Sequence, residues 1–304
     1  MGDPVYAAVD LGGTKIIIMT VDRERSVKER VEFSTPPARA PALMLREIKD
    51  YIELLLGKQG KLQLASIGIC CAGFVNKEGH VISSPNIPAL HNFPLKIETE
   101  GMFSVPVIVE NDANAAAYGE YRFGAGRGSA NMLFITVSTG VGCGIILEHK
   151  IYRGSGGFAG ELGHFQVAED QTPCACGNRG CLEKLSSGEA IAWRASQEYA
   201  QQMDTADVFQ AFRKGEPESK LVIDRAVDCL ARGIANALNL LNPEKVIIGG
   251  GVSNEEECFI APLMECLHKY TIAPALKMVE VCKGELGADA GVWGMFALME
   301  ESFS

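Results

Sequence analysis

An aspartate placed where a strand hands over to a helix can act as a general base, and Asp112 stands at such a junction. It lies in Glu110-Asn111-Asp112-Ala113-Asn114, after the apolar run 105–109 and before an alanine-rich helical stretch, 113–121, that stops near Gly124. Open α/β sheets bind their ligands at the carboxyl ends of strands, and a helix N-terminus favours an ionised carboxylate. A base so placed orients an attacking hydroxyl and takes its proton, as phosphoryl transfer requires. A plain helix N-cap is the other reading of the same residue, and the local sequence leaves both open.

Three glycine-rich turns could hold the phosphates. Asp10-Leu11-Gly12-Gly13-Thr14-Lys15 lies between strand-like runs at 5–9 and 16–21, Ser138-Thr139-Gly140-Val141-Gly142-Cys143-Gly144 lies between 133–137 and 145–147, and Gly249-Gly250-Gly251 follows 245–248. Turns without Cβ atoms let backbone N–H groups approach phosphate oxygens. Thr14 offers a hydroxyl, Lys15 a cation, and Asp10 is placed to hold Mg2+ through water. Neither hairpin turn has the P-loop spacing, nor a G-x-G-x-x-G opening a helix, so those two nucleotide folds are excluded. Each turn alone has a structural explanation. Three together point to a nucleotide held between two halves.

The sharpest cluster is His164 followed by Cys174-Ala175-Cys176-Gly177-Asn178-Arg179-Gly180-Cys181. Three thiolates and one imidazole are the tetrahedral N/S set that Zn2+ takes, and four protein ligands make such a metal structural. Glycines at 177 and 180 let the short loop curl around an ion. Free thiols are the alternative. Glu161 and Glu183 flank the loop; with His164 oriented by a metal on one ring nitrogen, the three form a polar wall matched to the hydroxyls of a sugar.

These groups need elements to carry them. Apolar residues at Leu45, Ile48, Ile52 and Leu55 have helical spacing, and so do Ile223, Val227, Leu230, Ile234, Leu238 and Leu241, which end before Pro243. Ser186 and Glu189 have capping-box spacing and predict a helix running through Ala200. Short apolar strands fall at 67–71 and 105–109, and a final apolar helix at 291–299. Strands alternating with helices indicate an α/β class. The strand–glycine–strand pattern at the start returns after residue 132, with Gly12 falling on Gly140 and Thr14 on Gly142, which suggests a duplicated unit and a lobe boundary near residue 112.

The bulk composition agrees. The 304 residues are 47% apolar and 22% charged, comfortable for two lobes around a cleft. The net charge of −10 and the lack of a basic stripe disfavour nucleic acid. No apolar run approaches a membrane span, and the start lacks a signal-peptide pattern, so a cytoplasmic protein is expected. Seven of the ten cysteines (Cys70, Cys71, Cys143, Cys229, Cys258, Cys266, Cys282) are scattered and read as buried free thiols.

In order and spacing, Asp10–Lys15, Glu110–Asn114, Ser138–Gly144, Glu161-Leu162-Gly163-His164 and Cys174–Glu183 resemble the ROK family, the repressor, open-reading-frame and kinase group; Gly119-Glu120-Tyr121-Arg122-Phe123-Gly124-Ala125-Gly126-Arg127-Gly128 looks most like its bacterial glucokinases. The resemblance implies an actin- and hexokinase-like (ribonuclease H-like) duplicated α/β fold. The expected division is residues 1–112 plus 290–304 in a smaller lobe and 113–289 in a larger one. It implies ATP-dependent phosphorylation of a hexose, foremost glucose, with Asp112 as base and Asn86, Asn111, Asp112, Glu161, His164 and Glu183 lining the sugar site. ATP phosphates would lie on Gly12, Gly13, Thr14, Lys15, Thr139, Gly140 and Gly142 with Mg2+ near Asp10, and adenosine near Gly250 and Gly251. Structural Zn2+ would be held by His164, Cys174, Cys176 and Cys181, and the partners would be sugar, ATP and one or three further copies of the chain. The first strand begins within five residues, so the kinase branch is expected rather than the repressors with their N-terminal helix-turn-helix. Cys143 departs from the glycine common in glucokinases. Another hexose or amino sugar, such as fructose or N-acetylmannosamine, and a non-catalytic sugar sensor remain as alternatives.

Overall fold

β-Branched and small apolar residues build the first sheet directly from the N-terminal hairpin. The computed structural model describes residues 3–35, 40–57 and 62–303. The chain runs through β1 (Asp3–Leu11), β2 (Lys15–Asp22), β3 (Val27–Ser34), α1 (Pro41–Gly57), β4 (Leu62–Cys71), a short ribbon of β5 (Phe74–Val75) and β6 (Val81–Ser83), α2 (Leu95–Phe103) and β7 (Val107–Asn111). After α3 (Asp112–Phe123) come β8 (Met132–Val137), β9 (Val141–Leu147) and β10 (Lys150–Ile151), then α4 (Glu183–Ser186), α5 (Gly188–Glu198), α6 (Thr205–Arg213) and α7 (Pro217–Leu241). The chain closes with β11 (Lys245–Gly249), α8 (Ala261–Tyr270), α9 (Ala273–Met278), β12 (Glu280–Lys283) and α10 (Ala290–Phe303).

The two large sheets have the same plan. One is ordered β3-β2-β1-β4-β7 and the other β10-β9-β8-β11-β12, and in each the first two pairings are antiparallel and the last two parallel. Duplication is therefore real, but the match between the turns differs from the sequence alignment. Leu11 pairs with Ile16 and Val137 with Val141, so Gly12 corresponds to Ser138 rather than to Gly140. The second turn is one residue shorter because strand pairing, not glycine content, sets where a hairpin closes.

Gly142 and Gly144 accordingly lie inside β9, and their lack of side chains serves helix packing. A Cβ on Gly144 would sit 2.4 Å from the Ala113 carbonyl oxygen and 2.5 Å from Ala117 Cβ, and one on Gly142 would sit 3.1 Å from Ala113 Cβ. The alanines of α3 and the glycines of β9 together let the helix bearing Asp112 press onto the second sheet. Helix α10 packs alongside it: a Cβ on Gly294 would lie 1.7 Å from the Ala115 carbonyl oxygen. One apolar cluster joins Ala8, Ile17, Ala115, Ala117, Phe134, Ile146 and Phe296, so α3 and α10 are shared packing between the sheets. Separate clusters seat α1, through Met44, Leu45, Ile48, Ile52 and Leu55, on the first sheet and α7 on the second.

Helix α5 is not capped by Ser186. Its N-cap is Ser187, whose hydroxyl accepts from the Ala190 N–H at 3.1 Å. Ser186 is fully buried, and its hydroxyl donates to the Ala226 carbonyl on α7 at 2.8 Å. No capping box forms with Glu189, which pairs with Lys184 instead. Of the seven scattered cysteines, Cys266 and Cys282 are only partly buried and the other five are buried. No described helix is long and apolar enough to cross a membrane.

Candidate active site

Asp112 is the first residue of α3, immediately after the last residue of β7. The N-cap is its neighbour: Asn111 accepts from the Asn114 N–H at 3.0 Å through Oδ1, so Asp112 is not needed for capping. That removes the bland reading left open by the sequence. Asn111 Nδ2 donates to Asp112 Oδ1 at 3.1 Å and to the Gly73 carbonyl at 3.0 Å, and the Ala113 N–H donates to the same Asp112 oxygen at 2.9 Å. One carboxylate oxygen, Oδ1, is thus held by the protein. Burial pushes the Asp112 carboxyl up to about 6, against the pull of the Ala113 N–H, its own backbone N–H and the Asn111 amide.

Carboxylates gather around it. Asp10, at the carboxyl end of β1, is pushed up to about 7 by burial and then by the charge of Asp112. Glu161 is raised to about 7 by burial, then by Asp112 and Glu183. Asp10 also meets the first turn of α10, where a Cβ on Gly291 would lie 3.0 Å from Asp10 Oδ2. Like charges gathered this closely at half-buried positions are relieved by a cation, and this donor set fits Mg2+, a hard ion that takes carboxylates plus water and phosphate oxygens.

Without a cation, Asp10 destabilises the fold. Its ionisation is unfavourable in the native state and ordinary in the unfolded one, so stability present below pH 4 is lost as pH rises toward 7. Asp10→Asn should therefore raise the Tm of the ligand-free protein at pH 8 by a few degrees, on the order of 1–3 kcal/mol, with the difference vanishing near pH 4. Thermal melts at the two pH values check this; an equal or lower Tm for the variant at pH 8 would contradict the strained-carboxylate account.

The glycine turns converge on these acids. A Cβ on Gly13 would come 2.6 Å from Asn86 Cβ, so the first turn lies against the segment carrying Asn86. That segment is fixed by Ser84, which donates to the Ala72 carbonyl at 2.6 Å and accepts from the Ile87 N–H at 3.2 Å. In the second turn, Glu183 accepts from the Val141 N–H at 3.2 Å, and a Cβ on Gly140 would meet Glu183 Oε2 at 2.4 Å. Gly250 has a φ of 85°, and a Cβ there would strike the Val137 carbonyl at 2.4 Å, which joins the third turn to the end of β8. Gly251 faces open space. Lys15 points elsewhere: its Nζ pairs with Glu32 at 3.1 Å on the half-exposed face of the first sheet. Gly142 lies against Ala113 within the strand rather than in the turn.

His164, Cys174, Cys176 and Cys181 bring one ligand atom each to within 4.8 Å of one another. Cys176 Sγ to Cys181 Sγ and His164 Nδ1 to Cys174 Sγ are both 3.6 Å. Tetrahedral zinc with ordinary bond lengths gives edges of about 3.8 Å between sulfurs and about 3.6 Å between nitrogen and sulfur, so the donor set fits that ion. The loop curls as expected, with Gly177 at φ 93° and Gly180 at φ 68°. His164 turns Nδ1 to the thiols and leaves Nε2 3.8 Å from Glu161 Oε2. Cys181 and Leu182 are fully buried, and Leu182 packs on Gly233 of α7, so Glu183 starts α4 from a fixed point.

Some site residues carry no signal in the sequence. Arg153 Nε donates to Glu110 Oε2 at 2.6 Å across 43 positions. Phe74 stands 6.0 Å from the His164 ring and 6.1 Å from that of Phe158, an aromatic contact between segments far apart in the chain. Glu120, 1% exposed, accepts from the N–H groups of Ala125, Glu285 and Leu286 and so ties the end of α3 to the loop before α10. Only Glu110 could have been suspected beforehand, from its place beside Asp112.

A family model described as the ROK family matches residues 6–302. A glucokinase of Halalkalibacterium halodurans is 36% identical over 312 residues, covering 97% of this chain and 94% of that protein. An N-acetylmannosamine kinase of Citrobacter koseri is 33% identical over 294 residues, covering 96% of this chain and 98% of its own. The crystal structure of a ROK family glucokinase from Streptomyces griseus in complex with glucose and AMPPNP superposes with a TM-score of 0.84 at 33% identity, over 97% of this chain and 98% of that one. The duplicated α/β fold is the actin- and hexokinase-like one.

Proposed function

Since the chain belongs to the ROK family, we propose that it is an ATP-dependent glucokinase that moves the γ-phosphoryl group of ATP onto glucose to give glucose 6-phosphate. The observation that carries this reading is Asp112: a half-buried carboxylate, freed from capping by Asn111, with Oδ1 held by the Ala113 N–H and the Asn111 amide. In its ionised form it takes the proton of the attacking hydroxyl as the phosphoryl group arrives. Asn86, Asn111, Glu161, His164 and Glu183 bind the other hydroxyls. The turns at residues 12–15 and 139–140 receive the phosphates, with the Gly12 N–H already donated to the Lys15 carbonyl at 3.1 Å and Gly142 kept within β9, and Gly251, which faces open space beside Gly250, leaves room for the adenosine.

Asp10 would hold Mg2+, which neutralises phosphate charge when bound. His164, Cys174, Cys176 and Cys181 would hold structural Zn2+, and the 3.6 Å edges support that assignment. In the same reading residues 1–112 with 290–304 form the smaller lobe and 113–289 the larger. The enzyme works in the cytoplasm as a dimer or tetramer and has no nucleic-acid partner.

N-Acetylmannosamine is the second reading, supported by the identity to the Citrobacter koseri enzyme. A panel of hexoses and amino sugars in a coupled ADP-release assay separates the two. Glucose should give the highest kcat/KM, by about tenfold or more over N-acetylmannosamine, because polar pocket contacts to one sugar leave groups unpaired with another. A reversed order would transfer the assignment to the amino sugar, and no turnover on any sugar would indicate a sensor.

A further inference from the structure

We infer that Arg153 is a positioning residue, acting through Glu110, that sets the segment bearing the base against the segment that binds the sugar. This rests on the reading of Asp112 as the base.

Glu110 is the penultimate residue of β7 and is 6% exposed. Both of its oxygens are engaged. Oε1 accepts from the Asn111 N–H at 3.0 Å and from Asn114 Nδ2 at 3.1 Å, while Oε2 accepts from Arg153 Nε at 2.6 Å. The carboxylate therefore braces both the residue that orients Asp112 and the first turn of α3. Arg153 comes from the other sheet, just past β10. Its own carbonyl accepts from the Ala159 N–H at 3.2 Å, two residues before Glu161, and the preceding Tyr152 N–H bonds to the Ile145 carbonyl of β9 at 2.8 Å. One residue thus touches the strand that delivers the base and the loop that leads to Glu161 and His164.

The surroundings make the contact consequential. A Cβ on Gly157 would lie 2.8 Å from the Val75 carbonyl, so the 154–160 loop is seated closely on the ribbon. Beside the pair is a cavity of about 510 Å³ lined by Asn76, Lys77, Glu110, Tyr152 and Arg153 among others. Loss of the guanidinium leaves a buried carboxylate short of a charged partner, with space into which it can turn toward water. Turning releases the Asn111 N–H and Asn114, and through Asn111 the Asp112 oxygen. Misplacement by about 1 Å at a reacting group costs on the order of 100-fold in rate.

Steady-state kinetics with glucose and ATP on Arg153→Ala, Arg153→Lys and the double variant Arg153→Ala with Glu110→Gln test this, beside melting temperatures for each. Arg153→Ala should lose about 10- to 100-fold in kcat, with the ATP KM within about twofold and the folded fraction unchanged at the assay temperature. Low, non-denaturing guanidinium should restore part of that activity and do nothing for Asp112→Asn. Lysine, a point charge without the fork, should recover only part. The double variant should be no worse than Arg153→Ala, because the two side chains act as one unit. Wild-type kcat in Arg153→Ala, a loss that only follows unfolding, or a double variant clearly slower than Arg153→Ala would overturn the inference. Near-normal turnover of Asp112→Asn would instead remove the base assignment on which it rests.

Discussion

Asp112→Asn is expected to lower kcat by about 10²- to 10⁴-fold while leaving glucose affinity nearly unchanged. Asparagine keeps the shape of the side chain, and its amide oxygen can still accept from the Ala113 N–H and Asn111 Nδ2. The other hydroxyl-binding groups stay in place. What disappears is the ability to take a proton, which matters only as the hydroxyl attacks, so kcat and kcat/KM should fall together. The pH dependence supplies a second readout. Burial holds the Asp112 carboxyl at about 6, and the base works only when ionised. Wild-type kcat/KM should therefore fall as pH drops through 6, and the residual activity of the variant should lack that limb. Rapid-quench or coupled kinetics with glucose-binding titrations suffice. A variant retaining more than about a tenth of wild-type kcat would reject Asp112 as base.

On the proposal that His164, Cys174, Cys176 and Cys181 hold zinc, Cys181→Ser is expected to abolish metal binding and with it most of the glucose affinity. Cys181 is fully buried, sits 3.6 Å from Cys176 Sγ, and is followed at once by the segment that starts α4 with Glu183. Structural zinc contributes about 10–16 kcal/mol of apparent binding free energy in small metal-ordered units, comparable to the whole stability of a domain. The 164–181 segment has few apolar residues to order it otherwise, since Cys176 and its neighbours from 175 to 179 are exposed. Losing the ion should free both ends of the sugar wall, His164 at one side and Glu183 at the other. The glucose KM should rise at least about tenfold, with a smaller change for ATP. Cys229→Ser, in a buried thiol of α7 outside the cluster, is the control and should keep full metal content. Metal analysis and glucose titration of both variants decide it. Wild-type glucose affinity in a metal-free Cys181→Ser protein would end the case for a zinc-ordered wall.

Both experiments address one electrostatic design. The chain has a net charge of −10 and concentrates Asp10, Asp112, Glu161 and Glu183 in one place, yet its substrate carries phosphates. Lys15 offsets only part of this charge: its field favours ionised Asp10, but its ammonium is paired with Glu32 at 3.1 Å. The positive partners at the site are backbone N–H groups of the turns and the N-terminal ends of α3 and α10, which face Asp112 and Asp10, and the proposed Mg2+ would add to them. An acidic enzyme can handle an anion in this way while keeping its base ionisable near neutral pH.

The sequence alone determined whatever depends on neighbours along the chain. Short continuous apolar runs beside glycine turns announced β1, β2, β4 and β8, helical spacing announced α1 and α7, and the compact Cys-Ala-Cys to Cys181 spacing announced a metal-ready loop, because run length, period and short-range spacing are local properties. Tertiary structure alone decided the roles that depend on distance across the fold. It made Asn111 rather than Asp112 the cap, moved the matching turn residue from Gly140 to Ser138, put Gly142 and Gly144 in a strand beneath α3, and shifted the cap of α5 to Ser187 by burying Ser186 against α7. It also joined Arg153 to Glu110 across 43 positions. Strand register, helix-to-sheet approach and buried ion pairs are set by which surfaces meet, and no pattern within a few residues encodes the partner.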